Sequence, residues 1–90
     1  MSKTIEGVKS SILKHLVEAW LIEPNEQIDF KIDHNSLNID SLDFAELSIN
    51  LEREYKIHLK DEDVINCKCL DDLALLVFNT INFEKNAKHF

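Results

Sequence analysis

Ser41 is the residue of this chain best placed to take part in chemistry. It stands in Asp40-Ser41-Leu42-Asp43, where a long polar segment ending in Asn38-Ile39 gives way to a strongly amphipathic helical pattern. The junction offers one hydroxyl at a helix N-terminus with acids on both sides. Serine is a poor nucleophile at its own pKa and needs an adjacent base, and no residue near Ser41 supplies one at helical spacing. A serine so placed suits modification by another protein better than catalysis. Asp40 is a favoured N-cap type, and Asp43 sits where the reciprocal acid of a capping box belongs. Read alone, the tetrapeptide is also what any well-capped helix displays.

A second candidate is Cys67-Lys68-Cys69, which with His15, His34, His58 and His89 invites a metal reading. The common zinc frames separate paired cysteines by at least two residues, so the spacing argues against it. A disulfide across one residue would close a very short, strained loop. The two thiols are expected to be reduced, Cys67 as a buried apolar group and Cys69 as a weak helix cap. His34 is expected as a solvated loop histidine. With Gly7 as the sole glycine, no phosphate-binding glycine loop can form.

The elements that must position Ser41 follow from hydrophobic spacing. Ile5, Val8, Ile12, Leu16 and Trp20, widened by Leu13, Val17 and Leu21, predict a helix over residues 4–21 that ends near Pro24. Trp20 is expected as a core or rim anchor at its end. Residues 23–39 alternate Ile28, Phe30 and Ile32 but have no second strand to pair with, so they predict a long extended loop with those residues tucked under the helices. From Ser41 to Lys56, Phe44, Leu47, Leu51 and Tyr55 form a core face. Leu42, Ala45, Glu46, Ile49, Glu52 and Arg53 lie opposite, which leaves Leu42 and Ile49 exposed among charges. Residues 61–66 predict a short helix with Val64 and Ile65 inward and Asp61, Glu62 and Asp63 favouring its N-terminus. A last helix runs from Leu70 to Ile81, with Leu70, Leu73, Ala74, Val77 and Ile81 inward. The expected fold is all-α: a small four-helix bundle of three longer helices and a short third, with a long first loop.

Ninety residues make one domain at most. A hydrophobic fraction of 44% suffices for a core, and one Gly and one Pro argue against a fold of many tight turns. No stretch approaches the roughly 20 apolar residues of a membrane span, and the N-terminus lacks a signal-type apolar run. A soluble, cytoplasmic domain is expected. Residues 23–66 hold twelve Asp and Glu against four Lys and Arg, so the net charge of −7 is concentrated around Ser41. Such a surface repels nucleic acid and anionic lipid and draws in basic protein surfaces; maintaining solubility is the plainer role for the same charge.

With these residues in place, the chain resembles the acyl carrier proteins from Ile5 to about Ile81. The resemblance rests on Asp40-Ser41-Leu42-Asp43 and Glu46-Leu47, then Leu51-Glu52 and Tyr55, with Leu59, Val64 and Leu70 at apolar family positions. It implies a carrier domain over residues 1–83, with residues 84–90 a flexible tail, and a protein that is not an enzyme. It implies that Ser41 carries 4′-phosphopantetheine, transferred from coenzyme A by a phosphopantetheinyl transferase that supplies the base and Mg²⁺. The arm's thiol would hold acyl intermediates as thioesters in fatty-acid, polyketide or related synthesis. The implied docking residues are Asp40, Leu42, Asp43, Ala45, Glu46, Ile49 and Glu52, meeting basic surfaces on acyl-loading, condensing and acyl-transfer enzymes. The implied shelter for the acyl chain is Phe44, Leu47, Leu51, Leu59, Val64 and Leu73. A monomer is expected.

Two positions depart from the family pattern. Asn38 stands where the family usually has glycine, and asparagine is the next most tolerant residue of left-handed backbone. Arg53, with Lys56 nearby, falls where the family is often acidic, which points to a different choice of enzymes. An aminoacyl or peptidyl carrier, an unmodified helical adaptor of the same fold, and a metal-binding regulator are the competing functions.

Overall fold

Thr4 starts the first helix: its backbone stays extended and its hydroxyl accepts from the Gly7 amide at 3.0 Å, a cap worth about 1 kcal/mol over alanine. The computed structural model describes residues 4–87. Helix α1 spans Ile5–Glu18 and buries Val8, Ile12 and Leu16 along the face its spacing predicts, with Leu13 and Val17 half-buried beside them. It stops short of the predicted Leu21 because Trp20 adopts a left-handed φ of 63°. The amides of Trp20 and Leu21 turn back to the carbonyls of Val17 and Leu16, each at 3.0 Å, closing the helix end as a Schellman motif well ahead of Pro24. Trp20 is consequently 92% exposed. The anchor role expected from its place in the stripe is therefore corrected.

The connection that follows packs Ile28 and Phe30 against the core and leaves Ile32 exposed, so only part of the alternating pattern tucks under. Its backbone is paired with the distant α3–α4 link and the start of the last helix instead of with a strand. The Phe30 carbonyl accepts from the Asp71 amide and the His34 amide donates to the Lys68 carbonyl, both at 3.0 Å. Asp33 and Cys69 form an isolated antiparallel bridge. A 3₁₀ turn, His34–Leu37, then leads to α2, Ser41–Tyr55.

Helix α3 is Asp61–Asn66 and α4 is Leu70–Ala87. Val64 rests against the core, whereas Ile65 is 73% exposed. Adjacent helical residues point about 100° apart, and so short a helix turns one side inward, so the inward placement of Ile65 is corrected. Leu70, Leu73, Ala74, Val77 and Ile81 are all buried. Helix α4 runs past Ile81, so residues 84–87, expected in a loose tail, are helical; residues 88–90 lie outside the described residues.

Helix α1 packs on α2 and α4, and α4 also meets α2 and α3. Among the described residues the fold is all-helical, a small bundle of four α-helices with a long first loop. Its core joins the buried faces of α1, α2 and α4 with Ile39, Leu59 and Cys67 from the connections. Among the described residues, no helix is long and apolar enough to cross a membrane.

Candidate functional site

The start of α2 is a closed capping box. Asp40 stays extended, at φ −76° and ψ 178°, and its carboxylate accepts from the Asp43 amide at 2.8 Å. The Asp43 carboxylate reaches back to the Asp40 amide at 3.4 Å. The first helical bond runs from the Phe44 amide to the Asp40 carbonyl at 2.9 Å. The amides of Ser41 and Leu42 are thus the first-turn donors without an intrahelical acceptor. Ser41 is the first helical residue and is exposed. Ile39 and Phe44, both buried, occupy the two positions of a hydrophobic staple and fix the angle at which the chain enters the helix.

The turn before Ser41 is held from the inside. Asn38 takes the left-handed conformation, φ 63° and ψ 25°, and its amide donates to the Asn35 carbonyl at 3.1 Å. His34 is buried, which corrects the expectation of a solvated ring. Its Nδ1 lies 2.6 Å from the Ile39 carbonyl; a carbonyl can only accept, so Nδ1 carries the proton. Its own carbonyl accepts from the Ile39 amide at 3.0 Å. Its ring lies 4.4 Å from the Phe44 ring, tilted by 30°. One residue therefore links the segment before Ser41 and the core of α2 through its ring, and the α3–α4 connection through its backbone amide.

Along α2, Asp40, Leu42, Glu46 and Ile49 are exposed, and Asp43, Ala45 and Glu52 are half-buried. Leu42 and Ile49, at 68% and 45% exposure, present apolar surface between acids. Glu52 differs from the others in being tied to the fold. Its Oε2 accepts from the Leu59 amide at 2.8 Å and lies 3.4 Å from His58 Nδ1, which secures the link after Lys56. Phe44, Leu47, Leu51, Leu59 and Leu73 are buried in the one core cluster and Val64 is half-buried against it. Sequence reasoning missed Ser48, buried with its hydroxyl donating to the Ala45 carbonyl at 2.6 Å.

Both cysteines are free thiols. Burial, with Asp72, Cys69 and Asp63 nearby, pushes the Cys67 thiol up to about 11. Cys67 is an inert packing group at neutral pH.

Comparison with known proteins meets this geometry. The family model described as a phosphopantetheine attachment site matches residues 11–77. The chain belongs to the acyl carrier protein family. A meromycolate extension acyl carrier protein of Mycolicibacterium smegmatis is 27% identical over 77 residues, covering 86% of this chain and 78% of its own. An acyl carrier protein of Rhodococcus erythropolis is 27% identical over 77 residues, covering 86% and 85%. An acyl carrier protein homolog of Mycoplasma genitalium is 33% identical over 67 residues, covering 67% and 80%. Within this carrier domain, Asn38 meets the backbone demand that glycine usually meets in the family, at the φ of 63° already described.

Proposed function

We propose that this carrier protein holds acyl intermediates as thioesters on 4′-phosphopantetheine attached to the Ser41 hydroxyl. The supporting observation is the exposure of Ser41 as the first residue of α2, behind a closed capping box. The residues present fit the group. The alcohol is reachable, and the helix N-terminus with its two unaccepted amides favours a phosphodiester. The Asp40 and Asp43 carboxylates oppose that attraction, so they serve helix initiation and transferase recognition more than phosphate anchoring. When bound, the arm supplies a terminal thiol that carries the acyl group. Among the described residues no side chain hydrogen-bonds the Ser41 hydroxyl, and the neighbouring Asp40 and Asp43 carboxylates are engaged in the capping box, so the transferase takes its proton as the serine oxygen displaces the nucleotide part of coenzyme A at phosphorus.

Asp40, Leu42, Asp43, Ala45, Glu46, Ile49 and Glu52 form the proposed docking face for the transferase and the acyl-handling enzymes. Exposed ion pairs contribute about 0–1 kcal/mol each, so each encounter is brief, as a shuttle requires. Phe44, Leu47, Leu51, Leu59, Val64 and Leu73 are the proposed acyl shelter. Five of them are buried and Val64 is half-buried against the same core, so a chain enters as the helices part. The names of the mycobacterial relatives favour an acyl chain undergoing extension over an aminoacyl cargo.

The test is incubation with coenzyme A and a broad-specificity transferase, followed by intact-mass measurement. One phosphopantetheinyl group is gained by the native chain and none by Ser41→Ala. An unchanged native mass would favour the unmodified adaptor, and a gain that persists in the variant would move the attachment elsewhere.

A further inference from the structure

We propose that the C-terminal end of α1 is a docking site for an arginine-bearing basic segment of a partner protein, with Trp20 as its aromatic anchor. The proposal goes beyond the carrier reading and needs no modification of Ser41.

Trp20 is the sole tryptophan of the chain, and its side chain is placed at a cost. A left-handed conformation disfavours any side chain with a Cβ by about 1–2 kcal/mol, and glycine is the usual residue at this position of a Schellman end. With 92% of its surface exposed, Trp20 recovers little of that cost by burial within its own chain. Strain held without an internal return points to a use outside the fold.

The ground beside Trp20 is shaped and charged. Val17, Leu21, Ile22 and Pro24 wall a cleft of about 390 Å³ next to the indole. A second cleft of about 500 Å³ shares Val17, Ile22 and Pro24 and extends along α1. Glu18, Glu23 and Glu26 rim them, against Lys14 as the one lysine or arginine among their lining residues. Glu26 is held in place by accepting from the Glu23 amide at 3.1 Å. Glu18 lies 3.6 Å from His15 Nδ1. An apolar groove with an exposed indole and an acidic rim is complementary to an arginine, whose guanidinium stacks on the ring while pairing with carboxylates. A small cleft lined by Ala19, Leu21, Asp43 and Glu46 continues this surface toward α2.

The probes are three amphipathic helical peptides that share a leucine face and carry arginine, lysine or glutamate on the polar face. They are titrated into the unmodified full chain while Trp20 fluorescence and backbone amide NMR shifts are followed. The arginine peptide should change the Trp20 emission and shift the amides of residues 17–26. The lysine peptide should bind more weakly and the glutamate peptide not at all. Trp20→Gly, which suits the left-handed backbone and so keeps the fold, should weaken the arginine peptide at least about three-fold by NMR, and Trp20→Phe should restore most of the loss. The proposal is overturned by equal affinity for Trp20→Gly, or by shifts confined to α2. Emission that depends on protein concentration without peptide would also overturn it, by assigning the groove to a second copy of the chain.

Discussion

Asn38 and His34 determine how Ser41 is presented, although neither touches its hydroxyl. The left-handed backbone at Asn38 gives a direct prediction. Asn38→Gly should change stability by less than about 1 kcal/mol, while Asn38→Val should cost about 1–2 kcal/mol. Equal denaturation midpoints for the two variants would remove the conformational explanation. His34→Ala should cost on the order of 2–3 kcal/mol, because it strips the Ile39 carbonyl of its buried donor and leaves space against Phe44. A loss under about 0.5 kcal/mol would show that water replaces the ring freely. A third prediction concerns the thiols. At about pH 8, a disulfide reagent should label Cys69 first and Cys67 in a slow phase, since burial holds the Cys67 proton until about pH 11. Two equal rates would contradict the buried placement. Ser41, Asp40 and Asp43 were legible in the sequence because a capping box is complete within four residues. His34 and Trp20 were not: the histidine is fixed by the Ile39 carbonyl, the Phe44 ring and the Lys68 carbonyl, and the tryptophan by a backbone reversal that spacing does not encode.

Between elements, the junction of α1 and α2 shows how a polar clasp supplements the apolar seam. The Ser11 hydroxyl donates to Glu54 Oε2 at 2.7 Å and lies 2.7 Å from the Tyr55 hydroxyl, while His15 Nε2 is 2.7 Å from Glu54 Oε1. Burial alone would raise the Glu54 carboxyl. The hydrogen bonds from Ser11 and His15, with the charges of His15 and Lys14, outweigh it and leave the group below its ordinary 4.5. The folded chain therefore holds this proton less tightly than the unfolded chain does. The clasp's contribution is present above about pH 4.5 and is lost as pH falls through the lower folded value. Glu54→Gln should flatten the decline in stability between about pH 5 and pH 3, measured by urea denaturation at a series of pH values. An unchanged slope would assign the acid limb to other carboxylates. The stripes of α1, α2 and α4 were legible because apolar residues recur at three-and-four spacing; their apolar buried sets follow the prediction except at Trp20, and Ser11 and Ser48 are buried among them without a signal in the spacing. The clasp was hidden because Ser11 and Glu54 are distant in sequence, and an exposed-looking Glu at the end of α2 has no local pattern to betray its partner.

For the whole molecule, the charge of −7 and its crowding into residues 23–66 set how partners approach, but the acids are not equivalent. Glu46 is exposed, whereas Glu52 is committed to the Leu59 amide. Exposed charges act over a Debye length of about 8 Å at physiological ionic strength, so Glu46→Lys should slow association with a phosphopantetheinyl transferase at low salt and approach the native rate at high salt, without altering the denaturation midpoint. Glu52→Lys should instead cost about 1–2 kcal/mol of stability by leaving the Leu59 amide unpaired, and part of its rate defect should persist at high salt. Stopped-flow association at two ionic strengths, set beside urea denaturation of both variants, separates the two roles. If both variants lose rate alike and neither loses stability, Glu52 is a docking acid like Glu46, and the link it secures between α2 and Leu59 is held by the apolar core alone.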